Sequence, residues 1–527
     1  MSQNKLHKQA IAIHPFLFML FSSLTLVGAN FNTVSSWELI RLLFLSLIFA
    51  GAVYLLLWVL VRDWLKAGFL ASLSIILMFY IDYPALFPDT YKLGPVEINS
   101  FWVILILWIT IFTLAGSKYF YARFRPQILA KYLNGTAAIL VCMPLVQLVA
   151  SWRISQPITV TQIPNLPSAP EEIQPISSLP DIYYIILDGY GRQDVLRDIY
   201  GFDNAGFLNY LRDSGFYIAD DSTSNYIQTY LSLSSSLNMQ YLDAFRLEKN
   251  TSDRAPLAEL MSQNRVFQTL EKAGYQSIHI FSGYGPVIEA AHSNISFEAD
   301  FWLTHIEGLF LQGSGLMEIL DALHIQPKML NADAHRQRIL FQLAQLDEVA
   351  RQPSTTPKLV YTHIISPHPP FVFDSDGNPI NWRGDFTLND GDGYDGSDRE
   401  YIDGYAAQLS YFNEKLIESI TGILQNYEEP PVIILQADHG PGAFTDFNSS
   451  GNTCHRERFA ILNAYLVPAD LQTRLYPTIT PVNTFRILFD YFLGTSLGKL
   501  PDLNYFSAWK SPYNFEDKTA VSRSPCN

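Results

Sequence analysis

The chain has 527 residues, 48% hydrophobic and only 16% charged, with a formal net charge of −15 at pH 7. It is too long for one ordinary domain and too oily for a purely soluble protein. The acidic balance argues against a nucleic-acid partner, which requires a basic face.

Apolar runs crowd residues 1–152, at 11–28, 42–61, 67–81, 101–115 and 136–152. Each approaches the length that crosses a bilayer core, so about five transmembrane helices are expected. Lys5, Lys8, Arg62, Lys66, Lys118, Arg123, Arg125 and Lys131 fall in alternate loops, which puts those loops and the N-terminus in the cytoplasm. Arg41, at the mouth of the second span, is the main discord. The same reading places everything after the fifth span outside the cytoplasm. Lys5 and Lys8 before the run ending at Ala29 also suit a cleavable signal, whose loss would leave four spans and the same outer side. His14 in the first span reads as an interfacial histidine, with a proton relay as the alternative.

Residues 153–180 carry Pro157, Pro164, Pro167, Pro170, Pro175 and Pro180 among polar residues, the composition of an extended spacer. Residues 181–527 then read as one α/β domain, with strands near 182–187, 276–281, 359–365 and 432–436 and a helix over 401–425.

The first of those strands ends in Asp188 and the last in Asp438-His439-Gly440. Parallel sheets bind ligands at the carboxyl ends of their strands, so the three side chains are expected to meet. Two carboxylates and an imidazole suit a divalent cation such as Zn or Mn. Between them, Thr229 opens a run that begins like a helix, where free backbone N–H groups favour an alkoxide and anionic substrate oxygens. The bland alternative makes Thr229 a helix cap. The acidic stretch 374–403 begins like a calcium loop, but Pro379 stands where glycine is needed, so it reads as solvated. Cys454 and Cys526 lie in the outer domain, and sequence alone does not bring them together.

This order, a strand ending in an acid, Thr229 three residues before Ser232 in a helix start, then a strand ending in Asp-His-Gly, resembles the sulfatase-like branch of the alkaline phosphatase superfamily. Spans followed by an outer domain also resemble lipoteichoic acid synthases and lipid A phosphoethanolamine transferases. The resemblance implies an alkaline-phosphatase-like α/β fold in which Asp188, Thr229, Asp438 and His439 hold one catalytic metal, although the first ligand in those enzymes is usually Glu. Tyr361-Thr-His-Ile-Ile-Ser-Pro-His-Pro-Pro-Phe371 is similar to the family's histidine segment, which would put His368 on the phosphate or leaving group. His363 is then a substrate-binding candidate or a buried structural histidine, and His455 either approaches the metal or lies in a surface loop. Arg192 and Arg458 are phosphate-binding or structural arginines. A sulfatase proper carries Cys or Ser at the nucleophile, Pro two residues on and Arg four residues on, whereas this chain has Thr229, Leu231 and Leu233. Sulfate-ester hydrolysis through a formylglycine is therefore not expected.

The reading that follows is a membrane-anchored transferase. It would move a phosphoglycerol or phosphoethanolamine type headgroup from a membrane phospholipid to a glycan or lipid acceptor through a phospho-threonine. A membrane-anchored phosphodiesterase and a non-catalytic binding protein are the alternatives.

Overall fold

The structure, a computed structural model, describes residues 11–29, 36–81, 86, 90–93, 96–154, 179–245, 247–283, 293–299, 303–312, 314–316, 320, 332–380 and 387–526. The chain forms two compact units, Met1–Gln156 with Phe301–Leu330, and Pro157–Asp300 with Asn331–Asn527. Most of the proline-rich spacer falls outside the described residues.

In the first unit, helices His14–Ala29, Ser36–Val61, Trp64–Phe79, Ser100–Gly116 and Pro126–Ile154 coincide with the five apolar runs. Two of them, over Trp37–Val61 and Pro126–Val149, are long and apolar enough to cross a membrane, and the other three are shorter apolar helices. Their outward faces carry Trp37, Leu60 and Ile139 at 67%, 70% and 69% exposure, a surface that water does not favour but acyl chains do. A short antiparallel hairpin, β1 (Thr90–Leu93) and β2 (Val96–Asn99), precedes the fourth helix. Asn134 ties the first helix to the last: its Oδ1 accepts from the backbone N–H of Ile13 and His14 at 3.1 and 2.9 Å, and its Nδ2 donates to Ile11 O at 2.7 Å. These bonds satisfy donors that a helix start leaves open. His14 is buried with Nδ1 2.5 Å from Ser72 Oγ, a helix-to-helix contact.

The first unit also contains a piece of chain that the sequence reading assigned to the outer domain. Helix His305–Gln312 packs Ile306 and Phe310 into the core formed by Phe18, Met19, Leu42 and Ile75, and Phe310 stacks on Phe79 with centroids 4.8 Å apart. Its buried Glu307 lies 3.0 Å from Arg41 Nε. Arg41, discordant as a loop charge, is thus an ion-pair partner.

The second unit is built on a seven-stranded mixed sheet. Its strands are β3 (Ile182–Leu187), β4 (Tyr217–Ile218), β5 (Gln276–Ile280), β6 (Ile295–Phe297), β7 (Lys358–Ile364), β8 (Val432–Gln436) and β9 (Asn463–Leu466), in the spatial order β4-β9-β8-β3-β7-β5-β6. β3 runs parallel to both neighbours, with Ile182 opposite Leu359 on one side and Val432 on the other. β9 pairs antiparallel with β8 and with β4 at one edge. Every residue of β3 is buried. Tyr183, Ile185 and Leu187 face one core with helices Ala332–Arg351 and Asp398–Gln425. Ile182, Tyr184 and Ile186 face the other with helices Thr229–Asn238, Arg265–Lys272 and Pro481–Phe492. A strand covered on both faces needs a continuous apolar run rather than an alternating one, which is why 182–187 reads as it does. The helix expected over 401–425 starts three residues earlier, where Ser397 and Glu400 close a capping box.

The Arg41–Glu307 pair is testable. Breaking it by Glu307→Lys is expected to cost about 3 kcal/mol, the lower end for a buried pair because Arg41 is partly exposed. Thermal unfolding of the detergent-purified full chain should show the loss, and the exchange Arg41→Glu with Glu307→Arg should restore most of it.

Candidate active site

The parallel arrangement of β8, β3 and β7 brings their carboxyl ends to one edge. Asp188 follows β3 directly and Asp438-His439 follows β8 after Ala437. Gly189 takes φ +71° there, a conformation that favours glycine, and lets the chain turn so that its N–H donates to Asp438 Oδ1 at 3.2 Å. Gly440 is required by crowding, since a Cβ on it would stand 2.1 Å from Glu457 O.

One ligand atom from each of Asp188, Asp438 and His439 lies within 4.8 Å of the others, and all three residues are buried. His439 Nε2 is the meeting point, 3.5 Å from Asp188 Oδ1, 3.3 Å from Asp438 Oδ2 and 3.0 Å from Thr229 Oγ1. Its Nδ1 lies 3.0 Å from Gly440 O. A carbonyl only accepts, so Nδ1 carries the proton in that contact and neutral His439 turns a bare lone pair to the carboxylates. Burial and Arg458 hold this imidazole's pKa below its ordinary value, against the pull of Asp438, Asp188 and Asp390. Asp188 Oδ1 and Asp438 Oδ2 are buried with no hydrogen-bond partner. Unpaired buried acceptors are costly, and these two oxygens converge with His439 Nε2 to form the oxygen and nitrogen donor set of a divalent cation. The chemistry of the residues therefore fits a metal of that kind.

Thr229 is half-buried, while those three ligand residues are buried. It is the first residue of the ten-residue helix Thr229–Asn238. Ser232, one turn on, donates from Oγ to Asp438 O at 2.6 Å and fastens this helix to the β8 end. Gln228 fixes the start from the other side, its Nε2 donating to Ser507 O at 2.9 Å.

His368 donates its backbone N–H to Asp188 O at 3.1 Å, and its ring centre lies 6.1 Å from that of His439. Its Nδ1 is 2.5 Å from Pro369 O and its Nε2 3.7 Å from Asp390 Oδ2. His363, buried in β7, puts Nε2 3.2 Å from Asp188 Oδ2 at ion-pair range without hydrogen-bond alignment. Burial depresses its pKa, but Asp188 and Asp438 more than offset this and hold it above the ordinary value. Burial likewise raises Asp188, and His368, His363 and His439 outweigh it, leaving the carboxyl well below the usual range.

Two sequence candidates point elsewhere. Arg192 donates to Asp194 from Nε and Nη2 at 2.6 and 3.0 Å and to Ser222 O from Nη1 at 2.8 Å, a structural role. His455 contacts Ser450, Phe459 and Phe506, outside the metal-ligand group. Its neighbour Cys454 is joined to Cys526, with Cα atoms 5.1 Å apart.

The structure adds Asp390 and a larger part for Arg458. Asp390 sits inside the acidic stretch read as solvated, yet it is buried, because Arg458 Nη1 at 2.5 Å and Tyr401 Oη at 2.7 Å both donate to it. Burial pushes its pKa up, and Arg458, His368 and His439 pull it below the carboxylate range. Arg458 is almost wholly covered and reaches from Asp390 to His439, with Nη2 3.2 Å from Nε2. It therefore supplies a fixed positive charge beside the ligands.

Residues 180–469, more than half of the chain, match the family model described as Sulfatase. Among solved structures, the chain is similar to the C-terminal periplasmic domain of EcEptC from Escherichia coli, at 11% identity and TM-score 0.43, covering 66% of this chain and 95% of that one. It is similar to lipooligosaccharide phosphoethanolamine transferase A from Neisseria meningitidis at 12% identity and TM-score 0.39, covering 91% and 83%. It is also similar to a phosphonate monoester hydrolase of Agrobacterium radiobacter at 11% identity and TM-score 0.40, covering 62% and 80%. No curated protein matches the sequence.

Glu457, beside Arg458, is fully buried between Tyr200 Oη at 2.5 Å and Phe444 N at 2.9 Å, and burial pushes its pKa up to about 8. The folded state thus holds a proton that the unfolded chain releases above its ordinary value of 4.5. Stability from this group is full below that value and lost as pH rises through about 8. Melting temperature measured from pH 5 to 9 should fall less for Glu457→Gln than for the wild type.

Proposed function

The chain belongs to the sulfatase family, and from that premise we propose that it is a membrane-anchored transferase. It moves a phosphoglycerol or phosphoethanolamine type headgroup from a phospholipid to a glycan or lipid acceptor outside the cytoplasm. The observation that carries this reading is the 3.0 Å approach of the hydroxyl of half-buried Thr229 to a buried Asp, Asp, His cluster at a sheet's carboxyl edge. Thr229 in place of a formylglycine precursor favours phosphoryl over sulfate chemistry. The apolar outward faces of the N-terminal helices favour five spans and a lipid donor. The Cys454–Cys526 bond favours an oxidising, extracytoplasmic side.

Asp188, Asp438 and His439 would hold the cation, Zn or Mn, with Thr229 beside it. When bound, such a cation supplies positive charge that eases ionisation of a neighbouring hydroxyl and draws charge from phosphoryl oxygens. Thr229 gives up its proton to solvent and Oγ1 bonds to phosphorus as the bond to the lipid alcohol breaks. His368 delivers a proton from Nε2 to that alcohol, its ring steered by the Pro369 carbonyl. The acceptor hydroxyl then bonds to phosphorus, the bond to Oγ1 breaks, His368 takes the acceptor's proton, and Oγ1 regains the proton it had released to solvent. Arg458 holds its charge on the same side throughout and stabilises the developing negative charge. His363 offsets the charge of Asp188 from behind and keeps that carboxylate in place.

Thr229→Ala should abolish headgroup release from mixed phospholipids, by at least a thousandfold, while Thr229→Ser retains a measurable rate. Product analysis with and without an acceptor alcohol separates transfer from hydrolysis. Unchanged release in Thr229→Ala contradicts the assignment, and release into water that no acceptor alters favours a phosphodiesterase.

A further inference from the structure

Among the described residues of the outer unit, only Phe444, Trp509 and Val521 are large hydrophobic side chains exposed to solvent, and Trp509 is the most exposed at 47%. Its indole is not stray surface, because two chains of contacts lead from it to Thr229. On one side the Arg254 guanidinium lies 4.0 Å over the indole ring. Arg254 Nη2 donates to Trp509 O at 2.7 Å and to Gln228 Oε1 at 2.9 Å, and Gln228 immediately precedes Thr229. On the other side Trp509 N donates to Phe447 O at 2.8 Å, and the two rings meet edge to face at 5.7 Å. Phe447 lies 5.0 Å from the Arg458 guanidinium, whose Nη2 is 3.2 Å from His439 Nε2. The indole is therefore clamped by both arms of the site.

We propose that Trp509, backed by Arg254, is the subsite that receives the acceptor, and that the acceptor group it takes is a sugar ring. This rests on the transferase reading above. An indole face attracts either a cation or the C–H face of a ring. Here a guanidinium already engages the indole, and a second cation would meet its repulsion. A pyranose carries no net charge, lays an apolar face on the aromatic ring and offers hydroxyls at its edge. An acyl chain is matched less well, since it requires a wider apolar patch than one indole and a half-covered Phe444. In the transfer step one sugar hydroxyl bonds to the phosphorus held on Thr229. The bond to Oγ1 breaks, His368 takes the proton that the sugar loses, and Thr229 regains its hydroxyl proton from solvent. Arg254 acts through Gln228 and is a positioning residue, whereas Trp509 touches the acceptor.

The test uses the detergent-purified full chain with bis(p-nitrophenyl) phosphate as donor and maltose or cellobiose as acceptor, with p-nitrophenol and the sugar phosphodiester both quantified. The apparent KM for the disaccharide should rise at least tenfold in Trp509→Ala and stay within threefold in Trp509→Phe. Arg254→Ala should lower kcat with a smaller change in KM, and Arg254→Lys should recover part of it. In parallel, tryptophan oxidation by N-bromosuccinimide, read by peptide mass spectrometry on the wild type, should be slowed at Trp509 by either sugar. Equal KM in Trp509→Ala, or oxidation that neither sugar slows, overturns the subsite. Failure of the wild type to cleave the donor counts against the transferase reading instead, and the oxidation arm still decides whether Trp509 binds sugar.

Discussion

The second unit is organised around an electrostatic conflict. Asp188 and Asp438 each bury a carboxylate oxygen with no hydrogen-bond partner and aim it at the same imidazole nitrogen. Left alone, such a group of acceptors would be expelled or protonated, because burial penalises charge and like charges at this range repel. The surrounding residues act to keep them ionised and in place. His363 stands behind Asp188, Arg458 spans from Asp390 to His439, and two backbone N–H groups fix Asp438 Oδ1. The arrangement suits a further positive charge at the meeting point, and Thr229, the proposed nucleophile, stands beside it.

The fold delivers this conflict by simple means. A strand buried on both faces ends abruptly in an acid, a neighbouring parallel strand does the same, and a helix start is bolted to them by Ser232. The price in backbone freedom falls on Gly189 and Gly440, where a side chain would need either a left-handed backbone or space taken by Glu457. Positions around the site are over-determined, which suits a reaction that depends on preorganised charge.

Much of this was legible in the sequence, for identifiable reasons. β3 and β8 match the expected bounds because six and five consecutive buried residues leave an unmistakable apolar run. Asp188, Asp438 and His439 followed from the rule that such runs present ligands at their ends. Asp390 was hidden because its burial depends on Arg458, sixty-eight residues away, and nothing in an Asp- and Gly-rich stretch shows that. Arg192, left open between phosphate binding and a structural part, is engaged by Asp194 two residues on, a pairing that neighbouring residues do not announce. Likewise, helix His305–Gln312 has no feature of its own that separates it from residues 181–527; its packing on Phe18, Met19 and Phe79 and the meeting of Glu307 with Arg41 do so. The pairing of Cys454 with Cys526 is a property of the folded chain that spacing does not carry.

The most direct test is elemental analysis of the full-length protein after purification with Zn or Mn present, beside the same analysis of Asp438→Asn and of Asp390→Asn. The account predicts a tightly held divalent ion in the wild type, its loss in Asp438→Asn, and retention in Asp390→Asn, which touches Arg458 rather than the ligand atoms. Equal metal content in wild type and Asp438→Asn, or none in either, would contradict it.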